Sequence, residues 1–427
     1  MPTATAPPFV PAREAADLVP NLTGLACREC GEVEEVGLSH VCGFCFGPLE
    51  VVYDTDAISA VVSRERIEAG PPSLWRYGDL LPTLSSDPSH RVDLQTGLTP
   101  LRPAPRLAER LGLSELWLKD DTVNPSGSFK DRVVTVALSA GRALGIETFA
   151  CASTGNLGNS VSAHAAAIGA PAYVFIPADL ETGKVLGSAV HGPNLVTVRG
   201  NYDDVNRLCA EVADDTGWGF VNVNLRTYYA EGSKTIGFEI AEQLGWRFPD
   251  HVVAPIASGA MMVKIDKAFR ELASYGLVDG DLPRVSGGQA TGCSPVAEAF
   301  ARGSFDVRPQ KPDTIARSLA IGNPADGYYA LKVADRTGGA IGHVPDDEII
   351  AGIRLLAETE GVFAETAGGV TVANLKRMVE AGTIGRDERT VAVISGNGYK
   401  TVEAIADDVG PSFEVSPSLD DFLAQLS

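Results

Sequence analysis

Basic residues are scarce in this chain: 35 Lys and Arg stand against 55 Asp and Glu, a formal charge of −20. A surface that acidic repels phosphate backbones and anionic lipid, which argues against nucleic acid or a membrane as the main partner. A small anion held in a local basic pocket stays compatible with the balance. Long apolar runs are also missing: the stretch from Val133 to Ala140 is interrupted at Arg142, far short of the roughly 20 residues a membrane span requires. The opening MPTATAPPFVPAREAADLVP lacks a basic segment followed by an apolar core, so no export signal is read and a soluble, cytoplasmic protein is expected. Seven cysteines in 427 residues are too few for a disulfide scaffold. The 44% hydrophobic and 21% charged content is that of folded globular chains, and the length predicts two or three domains.

Four of the seven cysteines fall in two pairs, Cys27-x-x-Cys30 and Cys42-x-x-Cys45, with eleven residues between them. Four thiolates at such spacing can surround one tetrahedral zinc, Gly31 following the first pair and Gly43 lying inside the second where tight turns are needed. Structural zinc is the favoured reading, with a redox pair or a metal-free ribbon as alternatives. His40 is expected at the surface, since four thiols already complete a ligand set. Residues 1–24, rich in Pro, Ala and Thr, read as a loosely held leader.

From Trp117 onward short apolar runs alternate with helical patterns. The runs are ELWLK, TFACAS, AYVFIP, LVTVRG, GFVNVN, HVVAPIAS, VSGGQA and TVAVIS, and residues 204–216 and 229–244 between them have apolar positions at helical spacing. Strands alternating with helices predict parallel sheets covered on both faces. Such sheets bind ligands beyond the carboxyl ends of their strands, so the turns that follow the runs are the candidate sites.

Four of those turns carry polar chemistry. The first reads Asn124-Pro-Ser-Gly-Ser-Phe-Lys130-Asp-Arg132. Asn-Pro and Ser-Gly impose turns and residues 133–144 have helical spacing, which puts Lys130 at or near a helix start. Peptide dipoles disfavour a positive charge there, and an uncharged amine is what Schiff-base formation requires. Taken alone, the segment also fits a surface lysine paired with Asp131. The second turn, Cys151-Ala-Ser153-Thr154-Gly155-Asn156, precedes the helical residues 161–168. Backbone amides and two hydroxyls at a helix start suit a carboxylate, and Asn156 adds a neutral donor and acceptor; a plain structural cap is the alternative. The third, Ala257-Ser258-Gly259-Ala260-Met261, leads into the helical residues 262–273, and its small side chains let N–H groups close around a phosphate. The fourth is Ser395-Gly396-Asn397-Gly398, after TVAVI. Plain turns remain the alternative for these two.

In this order and at these separations the four segments resemble pyridoxal-phosphate enzymes of the tryptophan-synthase-β fold group, and within that group the threonine synthases. GLTPL, LKDDTVNPSGSFKDR, CASTGN, AEGSKTIGFEI, ETAGG and SGNG carry the resemblance, which covers residues 90–405. The cysteine ribbon is similar to that of one branch of threonine synthases. The resemblance implies an α/β, two-domain pyridoxal-phosphate fold of type II, tryptophan synthase β-like, with parallel sheets and a small N-terminal zinc ribbon. Leader and ribbon would occupy 1–53, a large cofactor-binding domain 54–135 and 249–410, a small α/β domain 136–248, and a tail 411–427. Lys130 would hold the cofactor covalently, with Phe129 beside it, and Asn156 would meet the phenolic oxygen of the cofactor ring. Ala257, Ser258, Gly259, Ala260 and Met261 take the place of the loop that cradles the cofactor phosphate, though they depart from the Gly-Asn-Ala-Gly-Asn form common in the family. Ser153 and Thr154 would face the substrate carboxylate.

Ser395 falls beside the pyridine nitrogen, where the family often has Thr. A hydroxyl there shares a hydrogen bond without stabilising a protonated ring, which suits elimination chemistry better than transamination. The segment Asn224-Leu-Arg226-Thr-Tyr-Tyr-Ala-Glu231-Gly-Ser-Lys234 departs from the family's Asn-Pro-x-Arg stretch, and Arg226 and Lys234 are the candidates for gripping a substrate phosphate, with surface charges as the other reading. The implied activity is that of a lyase in threonine biosynthesis, converting O-phospho-L-homoserine and water to L-threonine and phosphate, in a homodimer. A threonine or serine dehydratase, a phosphoserine β-replacement enzyme such as cysteate synthase, and a zinc-ribbon binding protein with an inactive enzyme body are the competing readings.

Overall fold

A computed structural model describes residues 20–39, 41–153, 155–178, 182–199 and 202–426. The first strands, β1 (Leu22–Cys27), β2 (Val33–Glu34) and β3 (Leu49–Tyr53), form an antiparallel sheet in the order β2-β1-β3 around the cysteine pairs. β1 begins inside the segment expected to be a loose leader. Asn21 is already buried, its Nδ2 donating to the carbonyls of Asp79 and Leu81 at 2.9 Å each, so the chain is anchored from there on. The rest of the expected leader, residues 1–19, lies outside the described residues, as does His40.

The apolar runs after residue 100 become β4 (Leu101–Pro103), β5 (Glu115–Asp120), β6 (Phe149–Ala152), β7 (Ala172–Pro177), β8 (Asn194–Val198), β9 (Gly219–Phe220), β10 (His251–Pro255), β11 (Arg284–Ala290), β12 (Ile341–Val344) and β13 (Arg389–Ile394). They form two sheets. One has the order β12-β11-β10-β13-β5-β4, parallel except for the edge strand β4; the other, β8-β7-β6-β9, is wholly parallel. β10 is buried along its whole length, which is what helices on both faces demand of a Val-rich central strand. GFVNVN, expected as a full strand, pairs only over Gly219–Phe220 before turning.

Residues 229–244 do not form one helix. Two helices, Arg226–Glu231 and Lys234–Gln243, meet at Gly232, where hydrogen bonds run from residue i to i−3 instead of i−4. Close packing requires glycine at this junction: a Cβ on Gly232 would lie 2.5 Å from the carbonyl oxygen of Arg132.

Arg132 is fully buried in the helix Lys130–Ala143. Its guanidinium forks onto both oxygens of Asp121, at 2.7 Å each, and onto Glu239 at 2.5 and 2.8 Å, while Glu239 also meets Lys119 of β5 at 2.5 Å. The hydroxyls of Thr235 and Thr99 also accept from it at 2.9 Å, the Nη2 donors being shared among Asp121, Glu239 and Thr99. Every donor of the fork is therefore satisfied, and the network ties β5, the start of the Lys130 helix and the Lys234–Gln243 helix into one unit. Arg132→Leu leaves the Asp121 and Glu239 carboxylates without their main counter-charge, and we expect a loss of about 3–5 kcal/mol. Urea denaturation of the variant against the parent chain checks this; an unchanged midpoint would show that the network is dispensable.

Candidate active site

Strand-end turns from both parallel sheets converge on one cavity of about 310 Å³, a volume suited to a small cofactor and substrate. Ala152 of β6, Pro177 of β7, Pro255 of β10 and Ser395, just past β13, stand on its wall. The position follows from parallel topology, because helix amino ends and strand carboxyl ends face the same side.

Lys130, first residue of its helix and half-buried, directs its amine into this cavity. Nζ donates to the Tyr229 hydroxyl at 2.8 Å and lies 4.6 Å from the centre of the Phe129 ring. The backbone N–H of Phe129 bonds the Ser395 carbonyl at 2.9 Å, and Ser128 forms a β-bridge with Gly396. The first and fourth turns are thus stitched together, although 265 residues separate Lys130 from Ser395.

Asn156 opens the helix Asn156–Ala167 and is buried. Its Nδ2 donates to both oxygens of Glu365, at 2.9 and 3.1 Å, while its Oδ1 is buried with no partner. Ser153 also lines the cavity, but its Oγ accepts from the N–H groups of Gly158 at 2.7 Å and Gly155 at 3.1 Å, so part of its capacity goes to shaping the turn. Thr154 lies outside the described residues. Ala257, Ser258, Gly259, Ala260 and Met261 all line the cavity, at the amino end of the helix Ala260–Ser274. Gly259 is held at φ +97°, and a Cβ there would lie 2.7 Å from the Asp326 carbonyl oxygen; the backbone can close up only because the residue is glycine.

Arg226 and Lys234 are not brought to the cavity wall. Lys234 is fully buried, its Nζ bonded to Glu231 and Glu271 at 2.8 Å each, to the Leu80 carbonyl at 2.8 Å and to the Tyr53 hydroxyl at 3.1 Å. With all its donors committed to a structural cluster, it has no reach for a substrate phosphate. Arg226 pairs with Asp326 at 2.8 Å and is not among the residues that line the cavity. Among the described residues, the cations that do line the cavity are Lys130, Lys184 and Arg317. The stem of Lys184 crosses Gly155, where a Cβ would lie 2.8 Å from its Cδ. Nothing local in the sequence marks Lys184 or Arg317. Glu365 and Tyr229 fall within ETAGG and the segment before Lys234, and only the fold turns them toward the cavity.

Glu365 is buried, and burial pushes its carboxyl above the usual carboxylate range, partly opposed by the Asn156 hydrogen bond and by the charges of Lys400, Lys184 and Lys130. A carboxyl raised in the folded state contributes stability that is full below the unfolded value, near 4.5, and is lost as pH rises through its own raised value. Replacing it by glutamine removes that slope. In cofactor-free protein, the unfolding free energy of the parent chain should therefore fall relative to Glu365→Gln as pH rises above 4.5. Parallel denaturation curves at a series of pH values check this, and a constant difference would count against it.

The four cysteines of the amino-terminal sheet form the one cluster of metal-ligand type found among the described residues, their Sγ atoms all within 4.8 Å of one another. Neighbouring sulfurs stand 3.4 Å (Cys27 and Cys45), 3.4 Å (Cys30 and Cys45) and 3.7 Å (Cys30 and Cys42) apart. A zinc with bonds of about 2.3 Å separates its sulfurs by about 3.8 Å, so the arrangement is close to a tetrahedral site. The N–H groups of Glu29 and Phe44 point at Cys27 and Cys42 Sγ from 3.4 Å, the knuckle geometry that favours thiolates.

A family model described as pyridoxal-phosphate dependent enzyme matches residues 92–396. A threonine synthase from Methanosarcina acetivorans is 37% identical over 386 residues, covering 90% of this chain and 93% of its own. Another, from Methanocaldococcus jannaschii, is 37% identical over 381 residues, covering 88% and 93%. The processed form of threonine deaminase isoform 2 from Solanum lycopersicum superposes with a TM-score of 0.60 at 22% identity, covering 72% of this chain and 83% of that one. Diaminopropionate ammonia lyase from Escherichia coli does so with 0.62 at 19%, covering 73% and 87%. These two likenesses establish the type II fold, and the sequence relatives go further. With the lysine, asparagine and glycine turns meeting at one cavity, the chain belongs to the pyridoxal-phosphate dependent enzymes and, among them, to the threonine synthases.

Proposed function

We propose that this enzyme converts O-phospho-L-homoserine and water to L-threonine and phosphate by β,γ-replacement. The observation that carries the reading is the meeting, in one cavity, of the Lys130 amine, the unpartnered Asn156 Oδ1 and the Gly259 turn. These fit pyridoxal phosphate: an amine for the covalent link, a buried polar atom awaiting a partner, and a backbone cradle at a helix amino end for the phosphate. When bound, the cofactor supplies an electron sink for charge developing at the substrate's carbon atoms.

The chain's own residues supply the rest. With the cofactor in place, the Lys130 amine would take the proton at the substrate's α-carbon and then one at the β-carbon, and would return one to the γ-carbon after phosphate leaves and one to the α-carbon after water has added. The Tyr229 hydroxyl, 2.8 Å away, holds the amine on the cavity side of Phe129. Asn156, anchored on Glu365, would face the ring oxygen, Ser395 the ring nitrogen, and Ser153 with Thr154 the substrate carboxylate. Lys184 and Arg317 take over the role expected of Arg226 and Lys234, because among the described residues they are the lining cations other than Lys130. Water adds at the β-carbon, and the departing phosphate serves as acid or base there.

The same reading divides the chain into ribbon, large and small units at the boundaries expected from the sequence, with each parallel sheet in one unit. A homodimer in the cytoplasm belongs to it through the family resemblance; among the described residues no helix is long and apolar enough to cross a membrane.

Purified enzyme should release inorganic phosphate from O-phospho-L-homoserine with matching formation of threonine. Lys130→Ala should lower turnover by orders of magnitude and abolish the visible absorbance of bound cofactor. Efficient deamination of threonine without phosphate release would move the enzyme to the dehydratases.

The ribbon is read as a closed structural site for one zinc per chain, held by Cys27, Cys30, Cys42 and Cys45. Metal analysis should give one zinc per chain, with the four thiols protected from alkylation until it is removed. Zinc-free protein with all four thiols reactive would refute the assignment.

A further inference from the structure

We propose that the ribbon acts on the cofactor site through Arg28: this arginine, inside the first cysteine pair, positions Asp326, and Asp326 positions the Ser258–Gly259 turn and Arg226. The inference rests on reading the ribbon as a zinc site and the turn as the cofactor-phosphate cradle.

Arg28 lies between Cys27 and Cys30, so the atoms that close the metal knuckle also set its backbone. Its guanidinium lies over the Tyr329 ring, 3.4 Å from the centre, and Tyr329 donates from its hydroxyl to Glu29 of the same knuckle. Held flat in this way, Arg28 reaches 298 residues along the chain to Asp326 Oδ1 at 3.1 Å. Arg226 takes Oδ2 at 2.8 Å, so one largely buried carboxylate bridges two guanidinium groups.

Asp326 is joined to the cavity wall by its backbone. Its N–H donates to the Ser258 carbonyl at 2.8 Å, and its own carbonyl oxygen packs where only a Cβ-less Gly259 fits. A shift of Asp326 must therefore move the turn. The ribbon also supports a second part of the wall, next to Tyr229. The Tyr228 hydroxyl donates to the Gly37 carbonyl at 2.8 Å and Thr227 to that of Ser39 at 3.4 Å, and the next residue, Tyr229, meets Lys130. Contacts of this kind, short and largely buried, transmit a change at the metal to the cavity as a difference in binding free energy, and such coupling is reciprocal.

The full-length enzyme is resolved from its cofactor and titrated with pyridoxal phosphate, followed by absorbance, in the parent chain, Arg28→Ala, Arg28→Lys and Asp326→Asn, with zinc content and thermal midpoint measured on each. Arg28→Ala should keep one zinc per chain and bind the cofactor about tenfold more weakly, within the range usual for coupled sites. Arg28→Lys should recover part of the loss, since it restores the charge without the fork. Stripping zinc from the parent chain should weaken cofactor binding similarly but add little in Arg28→Ala. Saturating cofactor should raise zinc affinity by the same factor in the parent chain alone. Zinc-loaded Arg28→Ala that binds cofactor as the parent does would overturn the inference. If Arg28→Ala loses its metal or fold, Asp326→Asn decides: parent-like coupling between zinc and cofactor in that variant overturns it. A parent chain without zinc overturns the coupling but not the enzyme; one that binds no cofactor overturns the cofactor reading, and the inference with it.

Discussion

Arg132 stands two residues after the lysine that opens into the cavity, and its guanidinium sits without solvent contact between Asp121 and Glu239. Withdrawing one such ion from water costs several kcal/mol, and the cost is offset only when every donor finds an acceptor in good geometry. That requirement leaves the Lys130 helix little freedom to slide or rotate. The helix must present Arg132 to Asp121 on one side and Glu239 on the other, and doing so sends the Lys130 amine to the carboxyl ends of the strands. Gly232 belongs to the same constraint, because the chain carrying Glu239 approaches the Arg132 carbonyl too closely for any Cβ.

Charge within the cavity runs against the charge of the whole. The chain has a formal charge of −20, yet Lys130, Lys184 and Arg317 line one small volume with Glu365 as the carboxylate among its lining residues. A local positive field in a concave, low-dielectric site attracts a dianionic substrate even when the surrounding surface repels it. Glu365 is buried and accepts from Asn156 with both oxygens, so it orients the amide.

The amino-terminal sheet closes over the back of this arrangement. β3 sends Glu50 to Lys264 and Lys267 on the helix that starts at the Gly259 turn, with Glu231 completing a buried cluster of alternating charge. Lys234 belongs to that cluster as well. Its place in a motif gave it the look of a substrate ligand, but its neighbours make it a fastener between ribbon, helix and core.

The sequence by itself determined the alternation of strands and helices, the cysteine pairs, and the four turns that line the cavity. These are local properties: β-branched runs set buried strands, Asn-Pro and Ser-Gly force turns, and a lysine immediately before a helical pattern must stand at its start. Lys130, Asn156 and the turn at Gly259 were legible for that reason. Tertiary structure alone decided which charges face the cavity. Arg226 and Lys234 stand in a motif segment and Lys184 and Arg317 do not, yet long-range partners reverse that order: Asp326, 100 residues from Arg226, and Glu271, 37 from Lys234, hold those two elsewhere. The division of the 229–244 stretch into two helices was hidden in the same way, since it depends on how closely the backbone at Gly232 approaches that of Arg132. Periodicity and turn chemistry act over a few residues, whereas the pairing of buried charges is settled by whichever partner the fold carries within reach.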